Sequence, residues 1–145
     1  MKTLNDAFRE VTKISRDIEK LVKDSKFNEY DDLSGLEFSL DDPDQIQLWD
    51  EMKHIMGCLN GIRHDIEYLN KRIIDTGRLQ MNSNGRYEAC GREFTSGSLI
   101  EALIDDGYYD VPHWEISRIE HNGTDYYLYG HKDVDLEGLK IRIRK

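Results

Sequence analysis

An α+β protein is expected from this sequence: an antiparallel, coiled-coil-like helical hairpin followed by a small SH3-like β-barrel. Three observations predict it. Residues 42–77 carry Leu48, Met52, Ile55, Leu59, Ile62, Ile66, Leu69 and Ile73 at alternating spacings of four and three, a heptad seam. Residues 3–25 carry a second seam of the same kind. After Gly77 the apolar period drops to two, and Asn-Gly pairs punctuate short alternating runs. The expected domains are a helical hairpin over residues 1–76, with an acidic connector at 26–42, and a small β-barrel over residues 77–145.

The first helix spans residues 3–25. Leu4, Ala7, Val11, Ile14, Ile18 and Leu21 form its stripe, widened by Phe8 and Val22, and its other positions carry mixed charge. The second helix starts at Asp42-Pro43, an N-cap carboxylate followed by a proline at the first helical position. Thr76-Gly77 supplies a stop, because glycine takes the left-handed conformation past a helix end without steric cost. At about 1.5 Å per residue this helix is roughly 50 Å long against about 33 Å for the first, so the first cannot cover it. The excess seam must pack on the following domain or on a second copy. Gly57 and Gly61 interrupt the second helix off its seam, which points to close packing or a bend.

The connector between the helices holds Glu29, Asp31, Asp32, Glu37 and Asp41 against one base, Lys26; Asp42 and Asp44 extend the acidic run. A connector this long is structured or functional in a compact domain. Leu36, Phe38 and Leu40 alternate as if laid over the helix pair.

The β half begins with Arg78–Met81 and Arg86–Cys90 around Asn84-Gly85, then Arg92–Thr95 and the apolar run Leu99–Asp105. Further strands are expected at Tyr108–Val111, at His113–His121 with a bulge where the apolar parity shifts between Ile116 and Ile119, and at Tyr126–Tyr129 after Asn122-Gly123. Leu139, Ile141 and Ile143 alternate with Lys140, Arg142 and Arg144 as a closing strand. Five or six short strands at this spacing suggest a small barrel, SH3-like first and OB-like second.

The segment GRLQMNSNGRYEACGREFTSGSLIEALI, then WEISRIEHNGTDYYLYG and LEGLKIRIR, resembles a small family of unknown function met in Gram-positive bacteria, their phages and conjugative elements. The features that carry the likeness are Asn84-Gly85-Arg86-Tyr87, Thr95-Ser96-Gly97, Ile119-Glu120-His121 and Tyr126-Tyr127-Leu128, all turn and strand residues. The likeness covers roughly the last 70 residues. It implies a mobile-element context and brings no activity with it.

Charge narrows the function classes. The formal net charge is −9, with 17 acidic and 11 basic residues in 1–75 and 12 and 9 in 76–145. Such a chain repels nucleic acid overall and attracts a basic protein. No apolar run approaches the roughly 18 residues of a membrane span. The first residues lack an apolar signal region, and Cys58 and Cys90, without CxxC spacing, read as reduced and packed. A cytoplasmic protein is expected.

Chemistry leaves few candidates. His54 and Cys58 stand one helical turn apart but lack further ligands nearby, and His113, His121 and His131 lack short paired spacing, so no metal or cofactor is expected. There is no GxSxG, no Cys–His pair at a known spacing and no phosphate loop, and an enzyme is not expected. Glu101, between Ile100 and Ala102, is the nearest to a perturbed carboxylate and is read as an outward strand residue, or as the partner of an arginine such as Arg118.

Two binding surfaces remain. The first is the acidic set Glu29, Asp31, Asp32, Glu37, Asp41, Asp42 and Asp44, which suits a basic host or element-encoded protein such as a nuclease. On this reading the chain is a non-enzymatic interaction protein of a phage or mobile element, of which an anti-CRISPR-type inhibitor of a host nucleic-acid-binding enzyme is one form. The second is the barrel face of Tyr108, Tyr109, Trp114, Tyr127 and Tyr129 with Arg118, Lys140, Arg142 and Arg144. That face suits a peptide or nucleic acid and makes the alternative a nucleic-acid-binding accessory protein. A homodimer through the spare helical seam is a further option.

Overall fold

The computed structural model describes residues 1–28 and 32–145. They divide into two compact units, Met1–Asn70 and Lys71–Lys145.

In the first unit, Thr3 opens helix α1 (Leu4–Asp24) with a capping box. Its Oγ1 accepts from the Asp6 amide at 3.0 Å, and the Asp6 carboxylate accepts from the Thr3 amide at 3.2 Å. Helix α2 (Pro43–Asn70) starts where the sequence places it, with Asp42 Oδ1 accepting from the Asp44 amide at 2.9 Å. Its end differs. Asn70 closes the helix, its Nδ2 donating to Ile66 O at 3.0 Å and to Thr12 Oγ1 of α1 at 3.1 Å. Residues expected in the last helical turns instead form strand β1 (Ile73–Arg78). Ile73 continues the heptad only by spacing. Ile73, Ile74 and Thr76 are β-branched, and pairing with a later strand gives this backbone partners that an isolated helix end lacks.

Leu33 is buried, and the connector after it lies on the start of α2, with the Phe38 ring stacked on Trp49 at 4.7 Å. Lys53 Nζ also lies over that indole, 4.0 Å from its centroid. The glycines of α2 mark neither close backbone packing nor a break. The nearest neighbour to a Cβ on Gly57 would be the Phe27 ring at 3.9 Å, and Gly61 faces open space.

The second unit is built on two antiparallel sheets. β1, β8 (Lys140–Arg144), β5 (Ser98–Ile104), β6 (His113–His121) and β7 (Tyr126–Leu128) lie side by side in that order. β2 (Gln80–Met81), β3 (Tyr87–Ala89) and β4 (Arg92–Phe94) form a small meander. One core joins them, with Leu79, Phe94, Ile100, Ile104, Ile119, Leu128, Leu136 and Ile141 among its members. The expected closed barrel is not formed. The five-stranded sheet has β1 and β7 as its edges, and the meander belongs to a separate sheet.

Two local expectations also change. Residues 108–111 form bends rather than a strand. β6 carries no bulge: it pairs with β5 without a shift from Ser98↔Ile119 to Ile104↔His113. The parity change arises because Ser117 takes the inward position, its hydroxyl donating to Tyr129 O at 2.9 Å, while Ile116 faces out. A polar residue with a local acceptor can occupy a core-side position, which an apolar pattern cannot register.

Turns are fastened by carboxylates. Glu93 accepts from Arg86 Nη1 at 2.7 Å and from Asn82 Nδ2 at 2.7 Å, and these hold its pKa below the ordinary 4.5. Glu120 is lowered likewise by Ser96 Oγ at 2.8 Å and by Arg118 Nε at 2.5 Å. A carboxylate whose folded pKa is depressed adds stability above its unfolded value and loses it as the pH falls through the folded one. The urea midpoint is therefore expected to stay level from neutral pH to about 5 and to fall below about 4.5. The Glu93→Gln/Glu120→Gln variant should begin lower at pH 7 and show a shallower acid slope; an unchanged slope would exclude these two groups as its source.

Candidate functional site

Only part of each heptad seam lies along the line where the two helices meet. On α2 the buried line runs through Met52, Met56, Leu59 and Ile66, while Leu48, Ile55, Ile62 and Leu69 are 55, 43, 48 and 45% exposed. On α1 Phe8, Ser15, Ile18 and Val22 turn inward, while Leu4, Val11, Ile14 and Leu21 are 87, 39, 56 and 39% exposed. At 3.6 residues per turn, the exposed stripe of each helix is displaced from its buried line in the same rotational sense. Because the helices run antiparallel, both stripes emerge on one face of the hairpin. Leu4, Phe8 and Leu69 line a common shallow groove at its open end, as this placement requires.

The rims of this face are acidic. The next positions round are Glu10 and Asp17 on α1 and Glu51 and Asp65 on α2, whereas Arg9, Arg16 and Lys23 project on the other side. Glu10 also pairs with Lys2 at 2.6 Å. The unit as a whole holds 16 acidic and 9 basic residues, a net charge of −7. The heptad pattern made the apolar stripes visible in the sequence. The offset of roughly a fifth of a turn that leaves both stripes exposed is set by how the two helices meet, and this is not written in the apolar period.

The acidic connector is less uniform than its composition. Glu29 and Asp31 lie outside the described residues. Asp32 Oδ1 caps its own turn, accepting from the Ser34 amide at 2.9 Å, and Asp42 is the α2 N-cap. Glu37, Asp41 and Asp44 are exposed.

On the β unit the basic stripe is largely committed. Glu101, in the central strand β5, is 2% exposed. Arg142 donates to its Oε1 at 2.8 Å, and Arg144 Nε pairs with its Oε2. Glu101, expected to face out or to pair with an arginine such as Arg118, does pair with arginine, but it is a buried carboxylate and its partners are Arg142 and Arg144 of β8. Arg142 also lies over Trp114, 4.3 Å from the ring centroid, and Arg144 Nη1 donates to Lys71 O at 3.0 Å. Arg118 stacks on Tyr129 at 3.9 Å, Tyr127 is half-buried with Lys132 Nζ 5.5 Å from its ring, and Lys140 is half-buried. Tyr108 and Tyr109 are exposed and meet edge to face, with Tyr109 edge-on to His113.

Both cysteines are free, but Cys58 is exposed rather than packed. Its Sγ lies 3.8 Å from His54 Nε2. Cys90 is partly covered, and burial pushes its thiol pKa up, with Asp75 adding to the effect. Of the three histidines of the β unit, His113 and His131 converge on Glu115, at 3.6 and 2.8 Å, whereas His121 packs edge-on against Tyr126 at the other end of β6. Among the described residues no helix is long and apolar enough to cross a membrane.

Residues 77–143 match a family model described as a domain of unknown function (DUF5348), which covers most of the β unit and none of the hairpin. No curated protein and no solved structure matches the chain.

Proposed function

We propose that the chain is a non-enzymatic interaction protein whose helical hairpin docks a basic amphipathic helix of a partner protein. The observation that carries this reading is the exposed apolar face of α1 and α2 between acidic rims. Aliphatic side chains at every seventh position accept the i, i+3, i+4, i+7 anchors of an incoming helix. The rims at Glu10, Asp17, Glu51 and Asp65 select lysine and arginine beside those anchors and speed encounter. A second copy fits less well, because its own acidic rims would meet these. Asp41 and Asp44 extend the same negative field past the N-terminus of α2.

A basic partner of this kind is what a host nucleic-acid-binding enzyme such as a nuclease presents. An element-encoded inhibitor, of anti-CRISPR type or otherwise, is the finer form of the proposal, set in the cytoplasm. The mobile-element context belongs to the same proposal. The SH3-like shape inferred for that unit belongs to the same proposal, supported by its two small antiparallel sheets around one core.

The test titrates the full chain with a 21-residue peptide of Leu/Lys heptads by calorimetry. Binding should weaken as salt rises and vanish in Ile55→Glu/Ile62→Glu, both positions being exposed enough to leave the helices intact by circular dichroism. Undiminished binding to that variant would refute the docking face. Light scattering that shows a dimer of the wild type, broken by the same pair, would assign the face to a second copy. Binding of single-stranded DNA, lost in Arg118→Ser/Tyr129→Ser, would instead move the function to the β unit.

A further inference from the structure

The strand order of the β unit brings together four side chains from three segments: the turn after β5, strand β6 and the turn after β7. His113 and Glu115 are two residues apart on β6 and so share one side of that strand. The turn after β5 places Asp106 beside them, because Ile104 pairs with His113. The chain after β7 then doubles back, with Leu128 bridged to His131 through Gly130 at φ 78°. This sets His131 Nε2 2.8 Å from Glu115 Oε2, with His113 Nε2 3.6 Å from the same oxygen. One donor atom from each of Asp106, His113 and Glu115 lies within 4.8 Å of the other two.

We propose that Asp106, His113, Glu115 and His131 hold a divalent transition-metal ion, zinc by donor preference. Two neutral imidazoles and two carboxylates balance the charge of a dication, and a mixed nitrogen–oxygen set of four suits zinc better than magnesium or calcium. Ligand atoms about 2.0–2.1 Å from a tetrahedral zinc stand about 3.4 Å apart, so the Asp106, His113 and Glu115 donors, within 4.8 Å of one another, draw in to close on an ion, and His131 joins them from its place 2.8 Å from Glu115.

A second observation points the same way. Glu115 Oε2 is shielded from solvent and is not matched by a hydrogen bond, despite lying between two imidazole nitrogens. The side chain as a whole is 39% exposed and its Oε2 pairs with His131 at 2.8 Å, but neither imidazole is aligned to donate a hydrogen bond to that oxygen. A shared cation satisfies it and also removes the repulsion between Glu115 and Asp106. The ion would tie the turns after β5 and β7 to β6 and so secure one end of the five-stranded sheet. Asp106 Oδ1 accepts from the Tyr108 amide at 3.0 Å, which orients the carboxylate and leaves Oδ2 for the metal.

The experiment uses the full chain, freed of any affinity tag, in a His54→Ala/Cys58→Ser background so that the α2 pair cannot contribute. Zinc is titrated by calorimetry, and cobalt(II) is titrated by visible absorption. One equivalent of zinc should bind, raise the thermal midpoint by several degrees, and give way to a tetrahedral cobalt spectrum when cobalt is used instead. His113→Ala/His131→Ala should abolish the isotherm and the midpoint shift, and Glu115→Gln, which keeps the shape of the side chain, should weaken both. His121→Ala should bind as the parent does. Absence of zinc binding, or binding unaltered by the paired histidine change, overturns the site. So does a midpoint that drops equally with and without zinc in the histidine variant, which would leave only an ion pair.

Discussion

Replacing Glu101 with leucine is expected to destabilise the Lys71–Lys145 unit by about 3–5 kcal/mol. Glu101 is 2% exposed, and the guanidinium groups of Arg142 and Arg144, with side chains 18 and 13% exposed, pair with it. Removal of the carboxylate leaves two positive charges close together in a site with little water. A unit of this size holds only about 4–11 kcal/mol in all, so the variant should be largely unfolded or melt at least about 12 °C lower. The effect separates from mere loss of packing in a second variant. Glu101→Leu/Arg142→Met/Arg144→Leu removes all three charges together and should recover most of the loss, because a buried ionic triad barely repays its own desolvation. Urea denaturation of the wild type and both variants decides the matter. If the triple change is no more stable than the single one, the charge argument fails and the arginines matter for their contacts with Trp114 and Lys71.

The hairpin unit should be comparably sensitive at Gly35. A Cβ added there would stand 2.3 Å from Asp24 O and 2.7 Å from Ser25 C, both of them backbone at the end of α1. Backbone cannot swing aside as a side chain does, so the connector must lift away. That movement breaks the bond from the Gly35 amide to Ser25 O at 3.1 Å and draws Leu33 from its buried position. Gly35→Ala is expected to cost on the order of 2–4 kcal/mol, the range of overpacking with a lost hydrogen bond added. Limited proteolysis should show faster cleavage in residues 32–41, together with a lower helical midpoint. A variant as stable and as resistant as the wild type would mean that the close approach is not required. Gly61→Ala, by contrast, meets open space and serves as the control for glycine removal in this unit.

Much of the fold is legible in the residues. The Thr3 capping box, the Asp42-Pro43 start of α2 and the Asn84-Gly85 and Asn122-Gly123 turns rest on local chemistry, and each holds in the structure. Local rules also produced the errors. Ile73 satisfied the heptad, and only pairing with β8 made it a strand. Tyr108–Val111 had strand-like composition but forms bends between β5 and β6. Ser117 occupied a core-side position that an apolar count assigned to a bulge.

The candidate sites divide in the same way. Heptad spacing and acidic composition were enough to single out the apolar stripes and the negative charge of the hairpin, since both are properties of neighbouring residues on one helix. Which apolar stripe stays exposed depended on the angle at which α1 and α2 meet. The fate of Arg142 and Arg144 depended on Glu101 lying in the adjacent strand, and the meeting of Asp106, His113, Glu115 and His131 depended on the strand order β5-β6-β7. By itself the sequence determined the helices, the turns and the charge, because those follow from contacts within a few residues along the chain. Only the tertiary structure decided which charges neutralise one another and which side chains converge, because those distances are set by strand pairing and helix rotation between residues far apart in the chain.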